Sequence, residues 1–179
     1  MPYTLPVIDN GGKLIKDSLA IAQYLEEHYP DGSQLFPEHS LPLVRLLEAQ
    51  ARDAALAVYP LIIPATVELL DKEGAEYYRR TREARLGHSL EAIHTAPQSK
   101  IDGMWKASEK SFGLVGRMLE DNPEGPFVLG KTRSYADIVI VAMLNFSRRC
   151  DTKIFERIMS FHPAFGKLLE ACQDLLRDI

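Results

Sequence analysis

The sequence predicts a mostly α-helical protein in two parts, a small β-β-α unit followed by an all-helical body. Three observations carry this reading. Between Tyr3 and Pro30, two β-rich stretches flank Asp9-Asn10-Gly11-Gly12, where Asn and Gly tolerate the positive φ of a hairpin turn. From Ser40 onward, apolar residues recur at helical spacing and no alternating strand-type run appears. Finally, Ser134-x-x-Asp137 directly precedes the apolar run Ile138-Val139-Ile140-Val141, the pattern of a capping box at the start of a buried helix.

In order, Thr4–Ile8 is predicted as the first strand through Leu5, Val7 and Ile8, and Lys13–Lys16 as the second through Leu14 and Ile15. Asp17-Ser18 supplies an N-cap for a helix whose apolar face combines Leu19, Ile21, Ala22 and Leu25 and which ends at Tyr29-Pro30. Asp31–Ser40, polar and containing Gly and Pro, reads as a linker, which divides the chain into 1–32 and 33–179. A long helix is expected from Ser40 to about Lys72, with Leu43, Leu46, Leu47 and Ala51 on one face and Pro42 in its first turn. Pro60 and Pro64 each remove a backbone bond and should kink its second half. A second helix is read over Glu73–His94 and a third over Ile101–Asn122, the latter aligning Trp105, Phe112, Val115 and Leu119. After a loop over Asn122–Thr132, further helices are expected around Ser134–Arg149, Lys153–Ser160 and Pro163–Arg177. A hairpin with one helix buries too little to stand alone, so it must pack on the helical body or extend a larger sheet.

The 179 residues are 46% apolar and 26% charged, ordinary globular usage. No apolar run reaches the roughly 18 residues of a spanning helix, and no basic-then-apolar leader opens the chain, which argues against a membrane partner. A formal charge of −4 argues against nucleic acid. Cys150 and Cys172 give neither a disulfide framework nor metal-ligand spacing, which fits a reducing, cytoplasmic setting and buried, inert thiols.

Pro6, in the middle of a predicted strand, has two readings. It marks an edge strand, because proline donates no ladder bond, or it makes a cis Leu5-Pro6 bond that turns the Leu5 amide and carbonyl toward a ligand. Asp17-Ser18 is a plain N-cap, or a site where the helix N-terminus and a hydroxyl hold a carboxylate while Asp17 takes an ammonium group. An α-amino acid end would suit the second reading. Tyr59, Pro60 and Pro64 either line a hydrophobic cleft opened by the kink or pack in the core. His88, Glu91 and His94 do not make a metal site on a helix, where the two histidines point about 120° apart. Arg79, Arg80, Arg82 and Arg85, interleaved with Glu76 and Glu83, read as a solvated, salt-bridged face.

The run Thr4-Leu5-Pro6-Val7-Ile8, with Gly12, Ile15, Asp17-Ser18, Ile21-Ala22 and Tyr24-Leu25-Glu26, resembles the second half of the thioredoxin-like domain of cytosolic glutathione transferases. Gly130–Leu144 is similar to the second signature of that family, in its helical domain, and Glu76–Gly87 most resembles the fungal etherase-related class. The resemblance covers essentially the whole chain. It implies a partial thioredoxin-like β-β-α unit followed by an all-helical glutathione transferase C-terminal domain. It also implies that Leu5 bonds the cysteinyl part of glutathione through its backbone, that Pro6 is cis, and that Asp17 and Ser18 hold the γ-glutamyl end.

Arg133 departs from the pattern, standing where the family usually has an apolar residue before the cap. In the family, the first strand and the catalytic Ser, Tyr or Cys precede the cis-proline, so no residue here inherits thiol activation. The implied activity of the intact family member is conjugation of glutathione, as co-substrate and without a metal, to hydrophobic molecules, or cleavage of their aryl ethers. A homodimer is the partner that the resemblance adds. The alternatives are a non-catalytic carrier of hydrophobic small molecules and a helical scaffold within a complex.

Overall fold

The computed structural model describes residues 5–30, 32 and 34–176. In chain order these form β1 (Val7–Asn10), β2 (Lys13–Lys16), α1 (Ser18–His28), α2 (Leu41–Thr66), α3 (Lys72–Leu86), α4 (Gln98–Glu120), α5 (Tyr135–Cys150), α6 (Thr152–Met159) and α7 (Ala164–Ala171). Short 3-10 turns follow α2 (Val67–Leu69), precede α4 (Leu90–Thr95) and follow α7 (Gln173–Leu175). The mostly helical architecture with a leading β-β-α unit is the predicted one.

The strands pair antiparallel, from Val7↔Lys16 to Asn10↔Lys13. Gly11 (φ 62°) and Gly12 (φ 89°) make the two-residue turn, and the Gly12 N–H donates to Asp9 Oδ1 at 2.7 Å. β1 therefore sits later than predicted. Its ladder begins only after Pro6, which has no N–H to give, and Asp9 and Asn10 belong to the strand instead of the turn. Thr4, the predicted start, lies outside the described residues, as do Tyr3 and Asp31. α1 closes over the hairpin through Tyr24, whose hydroxyl accepts from Asn10 Nδ2 at 2.8 Å and whose ring lies 4.7 Å below the Lys13 ammonium. Ile21 and Ala22 are buried and Ala22 joins the core of the helical body, so the hairpin unit does pack on that body. Leu25, predicted on the same face, is exposed because the contact covers only the Ile21-Ala22 side.

The core lies between α2, α4, α5 and α7. Leu47, Ala51, Ala54 and Val58 of α2 meet Phe112, Val115 and Leu119 of α4, with Leu144 of α5 and Phe165 and Leu168 of α7 completing the cluster. Each large side chain so buried contributes about 1.5–3 kcal/mol. Two small alanines let α2 and α4 approach closely enough for Ser108 Oγ to donate to the Ala54 carbonyl at 3.1 Å. Two members of the predicted α2 face are displaced: Leu46 is exposed and Leu43 only half-buried, while Val44 faces inward. Trp105 packs edge-on against Phe161, with the Arg157 guanidinium 4.3 Å from its ring. Gly116 is required by the approach of His162, just ahead of α7, since a Cβ there would lie 2.3 Å from His162 Cγ.

Several boundaries differ from expectation. α2 runs through Pro60 and Pro64 and ends at Thr66, short of Lys72, where the Thr66 hydroxyl bonds back to the Ile62 carbonyl and the chain tightens into a 3-10 turn. The predicted Glu73–His94 helix is two elements. Gly87 (φ 75°) donates its N–H to the Glu83 carbonyl and ends α3, and the chain resumes as the Leu90–Thr95 turn. α4 starts early, at Gln98, because the Pro97 carbonyl accepts from Lys100 and Ile101. α7 stops at Ala171; Arg177, its predicted end, lies outside the described residues.

Candidate functional site

One residue beyond the last ladder pair, Val7↔Lys16, stand Pro6 on one strand and Asp17 on the other. The hairpin thus gathers Leu5, Pro6, Asp17 and Ser18 at one end. The Leu5-Pro6 peptide is cis, and Leu5 is 92% exposed. Asp17 has φ 77° and ψ 130°, a conformation that costs a non-glycine residue about 1–3 kcal/mol and that clusters at functional sites. From there its Oδ1 accepts the Leu19 and Ala20 N–H groups, both at 3.1 Å, and its carbonyl accepts the Ile21 N–H at 2.8 Å. The cap leaves, among the described residues, the Ser18 N–H as the one first-turn amide without a partner, beside the exposed Ser18 hydroxyl. Two adjacent donors at a helix N-terminus, next to a carboxylate, can take a carboxylate and an ammonium group together.

Tyr135, the first residue of α5, reaches this end of the hairpin and has no signal in the sequence. Burial, then the Glu48 and Asp17 carboxylates, push its phenol up to about 12, against the opposing effect of its contact with the Ser18 hydroxyl. The Tyr135 ring stacks on Phe36 with centroids 5.4 Å apart, and its N–H donates to the Leu35 carbonyl at 2.9 Å. The Glu26 carboxylate of α1 accepts the Leu35 N–H at 2.6 Å and the Phe36 N–H at 3.1 Å. The predicted linker is therefore clamped between α1 and α5.

The capping box of α5 closes in both directions. Asp137 Oδ2 accepts the Ser134 N–H at 2.8 Å and the Ser134 hydroxyl at 2.7 Å, while Oδ1 accepts the Val128 N–H at 2.9 Å. Asp137 is fully buried; burial raises its carboxyl and the donors from Val128 and Ser134 pull it down. Arg133 pairs with both oxygens of Asp174, at 2.7 and 2.9 Å, and so ties the cap to the last turn.

Of the predicted cleft residues, Pro60 lines an apolar pocket of about 260 Å³ with Ile63, Leu86, Ile93 and Met104, and with Lys100 and His88 as polar members. Tyr59 and Pro64 do not line it. The Tyr59 hydroxyl instead lies 3.4 Å from that of Tyr78 on α3. Arg79 pairs with Glu83 and Glu91, at 3.3 and 2.7 Å, and Arg82 lies over the Tyr78 ring. Among the described residues, no group of three or more His, Cys, Asp or Glu side chains could hold a metal, and no helix is long and apolar enough to cross a membrane. Cys172 is buried and Cys150 half-buried, and burial raises both thiols.

Residues 46–175 match the family model of the glutathione S-transferase C-terminal domain. The chain is 33% identical over 170 residues to the glutathione S-transferase-like protein ustS of Aspergillus flavus, covering 88% of this chain and 61% of that relative's length. Its fold is similar to that of a Ceriporiopsis subvermispora glutathione S-transferase solved in complex with glutathione (31% identity, TM-score 0.82, 99% of this chain and 73% of that one). It is similar also to the glutathione transferase GSTFuA3 of Phanerochaete chrysosporium (27% identity, TM-score 0.81, 99% and 72%).

Proposed function

The chain belongs to the glutathione S-transferase family, and we propose that its β-β-α unit holds glutathione for transfer to, or ether cleavage of, a hydrophobic substrate, as in the fungal etherase-related class. In this reading the exposed Leu5 backbone bonds the cysteinyl part. The α-carboxylate of the γ-glutamyl end accepts from the Ser18 N–H and hydroxyl, and Asp17 Oδ2 takes its ammonium group. The observation that carries the reading is the Asp17-Ser18 cap. Asp17 is held in a costly conformation and satisfies the second and third amides of α1, yet the Ser18 N–H remains for a ligand, with the Ser18 hydroxyl, which also contacts the Tyr135 phenol, beside it.

The chemistry follows from the thiol. Free thiols of this type titrate near about 8.5, so only a few per cent is thiolate at neutral pH. Lowering that value by about two units takes ~2.7 kcal/mol of preferential bonding to the anion. The thiolate would attack an electrophilic carbon, forming a C–S bond as the halide or aryl-oxide leaving group departs. None of the described residues is assigned the role of activating the thiol. The Pro60 pocket is the place proposed for the hydrophobic partner. A division at 32/33, a homodimer and a cytoplasmic location complete the reading.

Calorimetric titration of the full chain tests it. Glutathione should bind, and Ser18→Ala should weaken binding about tenfold, the scale of a hydrogen bond to a charged group. Cysteinylglycine, which lacks the γ-glutamyl residue, should bind both versions alike. Equal glutathione affinity in the two versions would refute the assignment of Ser18.

A further inference from the structure

Tyr135 carries an oxygen that its packing does not require. The residue opens α5 inside the capping box and is only 7% exposed. Its ring stacks on Phe36 and its N–H is tied to the Leu35 carbonyl, while the Leu35 and Phe36 amides are tied in turn to Glu26 of α1. One chain of contacts thus holds the first turn of α5 against α1 and brings the phenol to the hydroxyl of Ser18, where α1 begins. A phenylalanine would fill the same space and stack as well. Packing accounts for the ring and leaves the hydroxyl to be explained.

The surroundings fix the direction in which that hydroxyl works. Burial, then the Glu48 and Asp17 carboxylates, hold the phenol at about 12, so at neutral pH it keeps its proton and can donate. Neither Asp17 nor Glu48 has an ion pair among the described residues. When the Ser18 oxygen accepts from the phenol, the Ser18 proton is left to point away from Tyr135, and the first bond strengthens the second. Ser18 then presents its N–H and its O–H outward at the positive end of α1. Donors for a carboxylate therefore stand beside carboxylates that lack a cation, which is the complement of a zwitterionic amino acid end.

We propose that Tyr135 is a positioning residue of the glutathione site, whose phenol donates to Ser18 Oγ and so aims the Ser18 proton at the α-carboxylate of the γ-glutamyl end. The proposal rests on the reading of that site given above. It adds a residue of the helical body to a site otherwise built from the hairpin unit.

The test is calorimetric titration of the full chain with glutathione and with cysteinylglycine, for the parent, Tyr135→Phe, Ser18→Ala and the double variant. Tyr135→Phe should keep the parent's far-UV circular dichroism and bind glutathione about fivefold more weakly, the scale of one neutral hydrogen bond. Its affinity for cysteinylglycine should equal the parent's, a discrimination that a mere loss of packing would not produce. Added to Ser18→Ala, Tyr135→Phe should change nothing further, whereas independent effects would multiply to about fiftyfold. Equal glutathione affinity in the parent and Tyr135→Phe would overturn the role of Tyr135 and leave that of Ser18 standing. So would a loss shared by both ligands, or a multiplied loss in the double variant. A parent that binds no glutathione would overturn both this proposal and the reading of the site on which it rests.

Discussion

Asp137→Ala should be among the costliest single substitutions in this chain, and the structure allows its size to be worked out. The carboxylate is fully buried and takes three donors, the Ser134 N–H, the Ser134 hydroxyl and the Val128 N–H, at 2.8, 2.7 and 2.9 Å. Loss of a cap alone is worth about 1–2 kcal/mol. Here the alanine also strands a loop amide, Val128 N–H, and a buried amide without a partner costs about 1–3 kcal/mol. The expected total is about 2–5 kcal/mol. With a slope of about 2 kcal/mol per molar, that lowers the urea midpoint by about 1–2.5 M. Trp105, the single tryptophan and a core residue, reports unfolding by fluorescence, and far-UV circular dichroism gives the second probe. Asp137→Asn keeps one acceptor oxygen and should fall between parent and alanine variant. A shift below about 0.5 M for Asp137→Ala would refute the argument, because the three bonds would then contribute no more than one surface cap.

Gly116→Ala should destabilise by about 1–3 kcal/mol, because the new methyl would meet the His162 side chain at 2.3–2.8 Å and force α7 away from α4; thermal melts check it. Glu26→Ala removes the acceptor of the Leu35 and Phe36 amides, so limited proteolysis should cut faster between Gln34 and Ser40 while the helical content stays the same. The phenol of Tyr135 titrates at about 12 in the folded chain against 10.0 ordinarily. The unfolded chain therefore loses this proton first, and stability, fully present below pH 10.0, falls as pH rises toward about 12. Urea midpoints across that window should show a shallower fall for Tyr135→Phe.

What could be read from the sequence was local chemistry. Ser134-x-x-Asp137 and the Trp105–Leu119 face each announce themselves within one or two turns of chain, and the structure shows a capping box and a buried face there. Pro6 by itself leaves an edge strand and a cis bond both open, and only the family resemblance points to the cis bond that the structure has. Elements fail where two local signals compete. The periodic pattern runs on past Gly87, yet the left-handed conformation open to glycine ends the helix. Leu25 and Leu46 lie on apolar stripes wider than the surfaces that cover them, and a stripe alone does not say where its cover ends. Tyr135 against Ser18, Glu26 against Leu35 and Asp137 against Val128 are contacts between separate elements. Their spacing follows from how the helices pack, and no motif encodes it.

The bond from Val128 to Asp137 has a consequence for how the molecule breathes. Val128 stands in irregular chain between α4 and α5, where amides ordinarily trade their protons with solvent quickly. Its N–H is instead bonded to a carboxylate sealed inside the fold, and that carboxylate is anchored to the first turn of α5. To release the proton, the start of α5 must open as well. In deuterium oxide the Val128 amide should persist with the slow amides of α5 while its loop neighbours vanish early, so that this short stretch keeps time with the helix and not with the loop it belongs to.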